Sequence, residues 1–370
     1  MSDPETSNPI RYAVVGLGYF AQIAILPAFK HSKNSKLTAF VSDDPVKHKK
    51  LGKRYGVDLH YSYDHYEDCL RSGQIDAVYI ALPNNMHRDY TVRAADAGIH
   101  VLCEKPMAVT EEECEDMIQS CDRHNVKLMI AYRLHFEEAN LNAIEIANSG
   151  KIGEARFFES VFSQQVPSGN IRMKKELGGG TLYDMGVYPI NAARYLFREE
   201  PIRVFAFTGN NGEERFREID EMTTAILQFP DDRLANFTVS FGAADTSAYR
   251  VVGTHGDLLM EPAYDFSMGL ASVLTINGKK TKTRFPKRDQ LAPELIYFSD
   301  CIQQDKPPEP SGLEGLADVR IVQALYQSAE AGRAVDLESL NRGRRPDISQ
   351  KITRPAATPP PLVHAEPPAA

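Results

Sequence analysis

Two short runs in this 370-residue chain set residues that can move protons beside residues that can turn the backbone. In HVLCEKPMA (100–108), an apolar stretch finishes in Glu104, Lys105 and Pro106. A carboxylate and an ammonium directly after an apolar strand are costly to bury, so they stand either solvated at a rim or retained there for work. Pro106 cannot extend a strand's hydrogen-bond ladder, so it ends the strand and turns the chain away. In GGGTLYDMGVYPIN (178–191), three glycines give a flexible approach, and Asp184 and Tyr188 lie four apart. On a helix that spacing puts both on one face. Facing a cleft, a carboxylate and a phenol so stacked are an acid/base pair; packed in a core, they are a capping aspartate and a buried tyrosine. A free phenol titrates near pH ~10, too high for a base at neutrality. Tyr188 therefore needs a neighbouring cation, and Lys105 is the candidate.

A third run says what these groups would serve. GLGYFA (16–21) follows an apolar strand and opens a helical pattern. Gly16 permits a tight turn, Gly18 lets backbone approach a pyrophosphate, and Ala21 allows close helix–strand packing, with the helix N-terminus favouring the anion. Alone the pattern is weak. Its context strengthens it, because it starts an alternation of apolar strands and helices. The strands are RYAVVGLG (11–18), LTAFVS (37–42), DAVYIALP (76–83), HVLCEKP (100–106) and KLMIAY (127–132). Between them lie helical patterns, among them TEEECEDMIQSCDRHN, where Thr110 and Glu113 form a capping box. Continuous apolar strands separated by helices mean a parallel sheet covered on both faces, a doubly wound α/β domain. Ligands of such sheets bind beyond the carboxyl ends of the strands, where PNNMH (83–87) and Glu104–Lys105 both fall.

The second strand bears on which dinucleotide binds. An acid there would grip the ribose hydroxyls of NAD. Ser42 holds that position, with Lys47, Lys49 and Lys50 within a turn of it, which favours the 2′-phosphate of NADP. Asp43 and Asp44 would oppose this if they pointed inward, so NAD stays open; Asp44 is also the natural N-cap of the following helix.

After about residue 150 the pattern changes to alternating strands with short turns, expected as an open, mostly antiparallel sheet packed on helices. One helix (184–197) interrupts it, and another (313–332) comes late and is expected to pack back on the first domain. The resulting division is an extension (1–10), a dinucleotide-binding domain (11–132), a substrate and oligomerisation domain (133–337) and a Pro-rich tail (338–370), read as disordered or loosely draped.

Bulk properties narrow the classes. A net charge of −8 gives no general attraction to a polyanion, so nucleic acid is not an expected partner. No stretch approaches the roughly 18 apolar residues of a membrane span, and the first residues lack a signal-peptide pattern. Five scattered cysteines form no zinc spacing and read as reduced thiols, so a cytoplasmic, metal-free protein is expected.

Together, GLGYFA, PNNMH, EKP, YRLHF (132–136) and GGGTLYDMGVY resemble the Gfo/Idh/MocA oxidoreductases, over about residues 10 to 337. Within them the likeness is greatest to the glucose–fructose oxidoreductase branch and related NADP-dependent sugar dehydrogenases. The resemblance implies a Rossmann domain followed by an α/β domain whose large open sheet mediates homodimers or homotetramers. It matches the family's lysine to Lys105 and its helix aspartate to Asp184. Tyr188 stands where many members carry histidine and the glucose–fructose branch carries tyrosine. That branch also matches Ser42, Lys47 and Arg172. Two features depart from it: Ile171 stands where the branch has an aromatic residue, and no long N-terminal arm is present.

The catalytic set expected is thus Lys105, Tyr188 and Asp184. The cofactor set is Gly16, Gly18, Tyr19, Phe20, Ser42, Lys47, Pro83, Asn84, His87, Glu104, Lys105, Arg133 and Arg172, with His135 also on the cofactor or substrate side. The expected reaction is hydride transfer between NADP and C1 of a cyclic sugar. Other readings are a 1,5-anhydrofructose reductase, a trans-dihydrodiol dehydrogenase and a non-catalytic NADP-sensing regulator on the same fold.

Overall fold

The computed structural model describes residues 8–338, 340 and 345–367; most of the expected N-terminal extension and parts of the Pro-rich tail lie outside these residues. A six-stranded sheet opens the chain: β1 (Ile10–Val15), β2 (Ser35–Val41), β3 (Leu59–Tyr61), β4 (Ala77–Ile80), β5 (His100–Glu104) and β6 (Leu128–Ala131). All pairings are parallel, in the order β3-β2-β1-β4-β5-β6. The order reverses between β1 and β4, which opens a crevice at their carboxyl ends. The connecting helices are α1 (Leu26–Ala28), α2 (Pro45–Tyr55), α3 (Tyr66–Leu70), α4 (His87–Asp96) and α5 (Glu111–Arg123). The Thr110–Glu113 capping box forms as expected, with both reciprocal hydrogen bonds present. Every residue of β4 and β6 is buried, as a sheet covered on both faces requires.

The second lobe is a nine-stranded sheet in the order β14-β13-β12-β11-β7-β10-β9-β8-β15. Its strands are β7 (Ala155–Ser163), β8 (Arg203–Gly209), β9 (Met222–Gln228), β10 (Leu234–Ser240), β11 (Thr246–Gly253), β12 (Gly256–Met260), β13 (Leu270–Ile276), β14 (Lys279–Phe285) and β15 (Val335–Asp336). Only β7 and β10 pair in parallel. One face covers α6 (Glu138–Asn148) and α7 (Val187–Phe197); α9 (Gly312–Ala331) packs against both β8 and α5, bridging the two lobes.

Some elements escaped the sequence reading for physical reasons. β3 is three residues long, and β14 reads KKTKTRF because it is a solvated edge strand whose lysines discourage further pairing. α8 (Ala292–Gln303) is buried on most of its surface, so it carries no amphipathic stripe. It returns to the first sheet, where Tyr12 and Ser299 share a 2.8 Å hydroxyl contact.

The described part of the tail corrects the expectation of a loose segment. Gln350 and Val363 are buried, and Arg354 and Pro361 are bonded to the first lobe or its flanks. Composition alone registers the prolines and misses isolated anchors of this kind.

Candidate active site

A cavity of about 910 Å³ lies between the lobes, and its walls come from the ends of β1, β4, β5 and β6 on one side and from α7 and the inner sheet face on the other. Gly16, Gly18, Tyr19, Phe20 and Ala21 line it. Gly16 has φ 94°, and a Cβ there would sit 2.4 Å from the Ala81 carbonyl oxygen, so the turn after β1, packed against the end of β4, admits no side chain. A Cβ on Gly18 would meet nothing within 4 Å; its backbone faces open cavity, as a cradle for a diphosphate requires. The chain then enters a π-helical turn, Ala21–Ile25, before α1.

At the end of β2 the charges sort themselves. Asp44 caps α2 by accepting from the Val46 and Lys47 amides at 2.8 and 3.1 Å, and His364 lies 3.0 Å from its other oxygen. Burial acts to raise this carboxyl, yet the amides and His364 hold it below the usual carboxylate range. Asp43 accepts from the Tyr63 amide. Both carboxylates are therefore engaged, and Lys47 lines the cavity while they do not. Ser42 departs from its expected place: it is buried under the wall, its hydroxyl accepting from the Asp44 amide at 3.3 Å.

The reacting end is built from both lobes. Strand β5 stops at Glu104, and a cis Lys105–Pro106 bond follows. Lys105 Nζ donates to the Asp184 carbonyl at 2.8 Å and to its Oδ1 at 3.4 Å. It stands 4.7 Å from the centroid of the Tyr188 ring, within cation–π range. Burial pulls the Lys105 ammonium's pKa down, but Tyr188, Asp184 and Glu104 outweigh this and leave it raised, so the group is a cation at neutral pH. Arg172 Nε donates to Asp184 Oδ2 at 2.7 Å. Arg133, from the turn after β6, donates to the Tyr188 hydroxyl at 3.3 Å and is fixed by the Gln290 side chain and the Tyr264 carbonyl. Tyr188 thus has a cation over its ring and another at its oxygen.

Asp184 sits in a second π-helical turn, Leu182–Gly186, and Tyr188 in the first turn of α7. Such turns recur at functional sites because the widened spiral re-aims side chains. The glycine run before it is not the flexible approach expected. Gly178 has φ 77°, and a Cβ on it would meet Val109 Cγ2 at 2.7 Å, while its carbonyl accepts from Asn84 at 2.8 Å. The run docks tightly against the PNNMH turn.

Burial alone would raise the Asp184 carboxyl, but Arg172 and Lys105 hold it down, at about 2. A carboxyl lowered on folding contributes stability that is complete above its unfolded value near pH ~4 and is lost as pH falls toward ~2. Arg172→Leu is therefore expected to move the acid-unfolding midpoint upward by about half a pH unit. Far-ultraviolet circular dichroism across an acid titration measures it, and an unmoved midpoint would remove Arg172 as the partner that matters.

Of the expected site residues, Pro83, Asn84, Glu104, Lys105, Arg133, Arg172, Asp184 and Tyr188 line the cavity with the glycine loop and Lys47. Two histidines do not. His87 is fully buried, Nδ1 2.9 Å from the Pro106 carbonyl and Nε2 2.9 Å from that of Leu82, so it joins the two turns from behind. His135 is buried against Tyr195 and Asn191. Glu104 lines the cavity, yet its carboxyl turns inward, accepting from the Tyr79 hydroxyl at 2.8 Å; Glu294 lies 3.4 Å from that same hydroxyl. Burial raises both carboxyls above the usual carboxylate range.

Several lining residues were not identified from the sequence: Phe162, Tyr249, Tyr264 and Phe266 from the second lobe. Phe266 meets Phe20 edge-on at 5.6 Å and closes the cavity across the lobes. Their strand or loop context carries no local signal; only the sheet's return over the first lobe brings them in.

Comparison with known proteins agrees with this architecture. Residues 10–132 match the oxidoreductase family model with an NAD-binding Rossmann fold, and residues 141–259 match the GFO/IDH/MocA C-terminal domain. The chain is 32% identical over 340 residues to a D-xylose 1-dehydrogenase [NADP(+)] of Haloarcula marismortui, covering 90% of this chain and 94% of that one. It is 36% identical, with a TM-score of 0.85, to the aldose-aldose oxidoreductase from Caulobacter crescentus crystallised with glycerol, covering 89% of this chain and all of that one. A 3-ketoreductase from Actinomadura kijaniata, crystallised with NADP and TDP-benzene, superposes with a TM-score of 0.79 at 27% identity, covering 87% of this chain and 98% of that one. With both family domains matched in order and the lysine, aspartate and tyrosine gathered in one cleft, the chain belongs to the Gfo/Idh/MocA family of oxidoreductases.

Proposed function

We propose that this enzyme exchanges a hydride between NADP and the anomeric carbon of a cyclic aldose, giving or consuming the lactone. The observation that carries the reading is the meeting of Lys105 and Tyr188, one from each lobe, in the cavity that the glycine loop opens into. When bound, the nicotinamide supplies the hydride sink or source. The glycine loop and Lys47 would hold the diphosphate and the adenosine phosphate, and the engagement of Asp43 and Asp44 by the Tyr63, Val46 and Lys47 amides, off the cavity lining, favours NADP over NAD. Tyr188 takes the proton of the sugar hydroxyl during oxidation and returns it during reduction. It does so from its phenolate form, whose negative charge is consumed by the proton in oxidation and regenerated in reduction, and Arg133 and Lys105 are the fixed cations that face it. Asp184 positions Lys105 and is itself aligned by Arg172. An aldose is favoured because relatives similar over nearly the whole chain are named for aldoses.

The test is to purify the protein, identify any co-purifying nucleotide by mass, and screen aldoses with NADP and NAD by the absorbance of the reduced nicotinamide. Turnover of an aldose with NADP is the expected result. Tight NADP binding with no aldose turned over would overturn the substrate assignment.

The same reading includes self-association. Phe157, Val161, Phe207, Met222, Ile226 and Leu234 are exposed on the outer face of the second sheet, with Phe157 and Leu234 paired across β7 and β10. A contiguous apolar face of this kind fits a second copy of the chain. Light scattering on the purified protein should give a multiple of the 41.3 kDa chain mass, and a monomer at micromolar concentration would end the reading.

A further inference from the structure

The family models stop at residue 259, short of the segment that returns to the dinucleotide end of the cavity. His364, Ala365, Glu366 and Pro367 line that cavity together with Gly16, Gly18 and Lys47. We propose that residues 361–367 form the outer wall of the dinucleotide site and act as a strap that slows NADP release. The proposal rests on the NADP reading above.

Gln22 is the latch. It is fully buried just beyond the glycine loop, and its side-chain amide accepts from the Val363 amide at 2.8 Å and donates to the Val363 carbonyl at 2.8 Å. The same nitrogen donates to the Leu17 carbonyl at 3.0 Å, so one side chain ties the strap to the loop itself. A buried amide left without these partners would be desolvated with nothing to compensate it, so the glutamine specifies this docking. The Val363 side chain is only 4% exposed and joins the buried cluster containing Leu17, Ala21 and Phe40.

Two further bonds set the direction of the segment. Arg54, in the last turn of α2, donates to the Pro361 carbonyl at 2.8 Å, and His364 pairs with Asp44 at the start of the same helix. The strap therefore spans α2 and delivers His364 beside the end of the cavity that Lys47 lines, where the adenosine phosphate is expected. Pro359, Pro360 and Pro361 stiffen the approach, which reduces the entropy lost on docking. A few anchors without regular structure give a local opening free energy well below that of global unfolding. Such a wall opens without unfolding the domain, and NADP release then requires that opening.

NADPH dissociation measures this directly. Protein loaded with NADPH is mixed rapidly with excess NADP, and the loss of bound-NADPH fluorescence gives the release rate. Val363→Asp unseats the strap, and Gln22→Leu removes the latch's polar amide while leaving a side chain of similar bulk there. Release is expected to accelerate about ten-fold or more in Val363→Asp, and in Gln22→Leu if that variant melts like the parent. Val363→Asp alone decides the matter should Gln22→Leu fail to fold. A release rate within about two-fold of the parent overturns the strap while leaving the NADP reading intact. Failure of the parent protein to bind NADPH at all overturns both.

Discussion

Lys105→Met should lower turnover about 10³-fold, on the order of 4 kcal/mol of transition-state stabilisation, and leave NADPH affinity within a few-fold of the parent. The asymmetry follows from where the side chain is held. Its ammonium is bonded to Asp184 and lies over the Tyr188 ring, at the end of β5, whereas the glycine loop's diphosphate cradle follows β1. Methionine keeps the apolar stem and removes only the charge, so the loss reports on electrostatics and not on packing. Steady-state kinetics with the enzyme's own substrate, together with fluorescence titration of NADPH, separate the two effects. A variant turning over at near-parent rate would show that the ammonium has no part in the chemistry.

Tyr188→Phe should cost about 10²–10³-fold in turnover with little change in fold, because the ring keeps its edge contact with Phe162 and its place under the Lys105 ammonium. Only the hydroxyl is removed, and with it the acceptor that Arg133 meets. A mild effect would hand the proton to Lys105, since the His135 ring is buried and does not line the cavity.

How much of this was legible beforehand depended on whether the signal was local. The glycine loop, the strand stop at Lys105 and the four-residue spacing of Asp184 and Tyr188 are short-range patterns, and the structure brings all three to one cleft. The second π-helical turn was not legible, because no propensity separates it from ordinary helix. His87 and His135 were assigned to the site on residue type and neighbourhood, yet burial turned both rings into ties between turns and helices. Ser42 follows β2, but it is buried and its hydroxyl meets the Asp44 amide. Gln290, Tyr264 and Phe266 lie more than a hundred residues from Arg133, and only the return of the second lobe over β6 sets them against its guanidinium. The tail misled for a different reason: its proline content reads as disorder, while Val363 and Gln350 anchor it.

The claim on which the catalytic account rests is that the lysine of one lobe and the phenol of the other act as one unit on one substrate. Single-turnover hydride transfer, followed in the parent, Lys105→Met, Tyr188→Phe and the double variant, measures that coupling. If the two groups act together, the double variant should be hardly slower than the slower single variant, a coupling of about 2 kcal/mol or more. Losses that simply multiply would mean that Lys105 and Tyr188 work independently, and the shared cleft would then not be the catalytic device described.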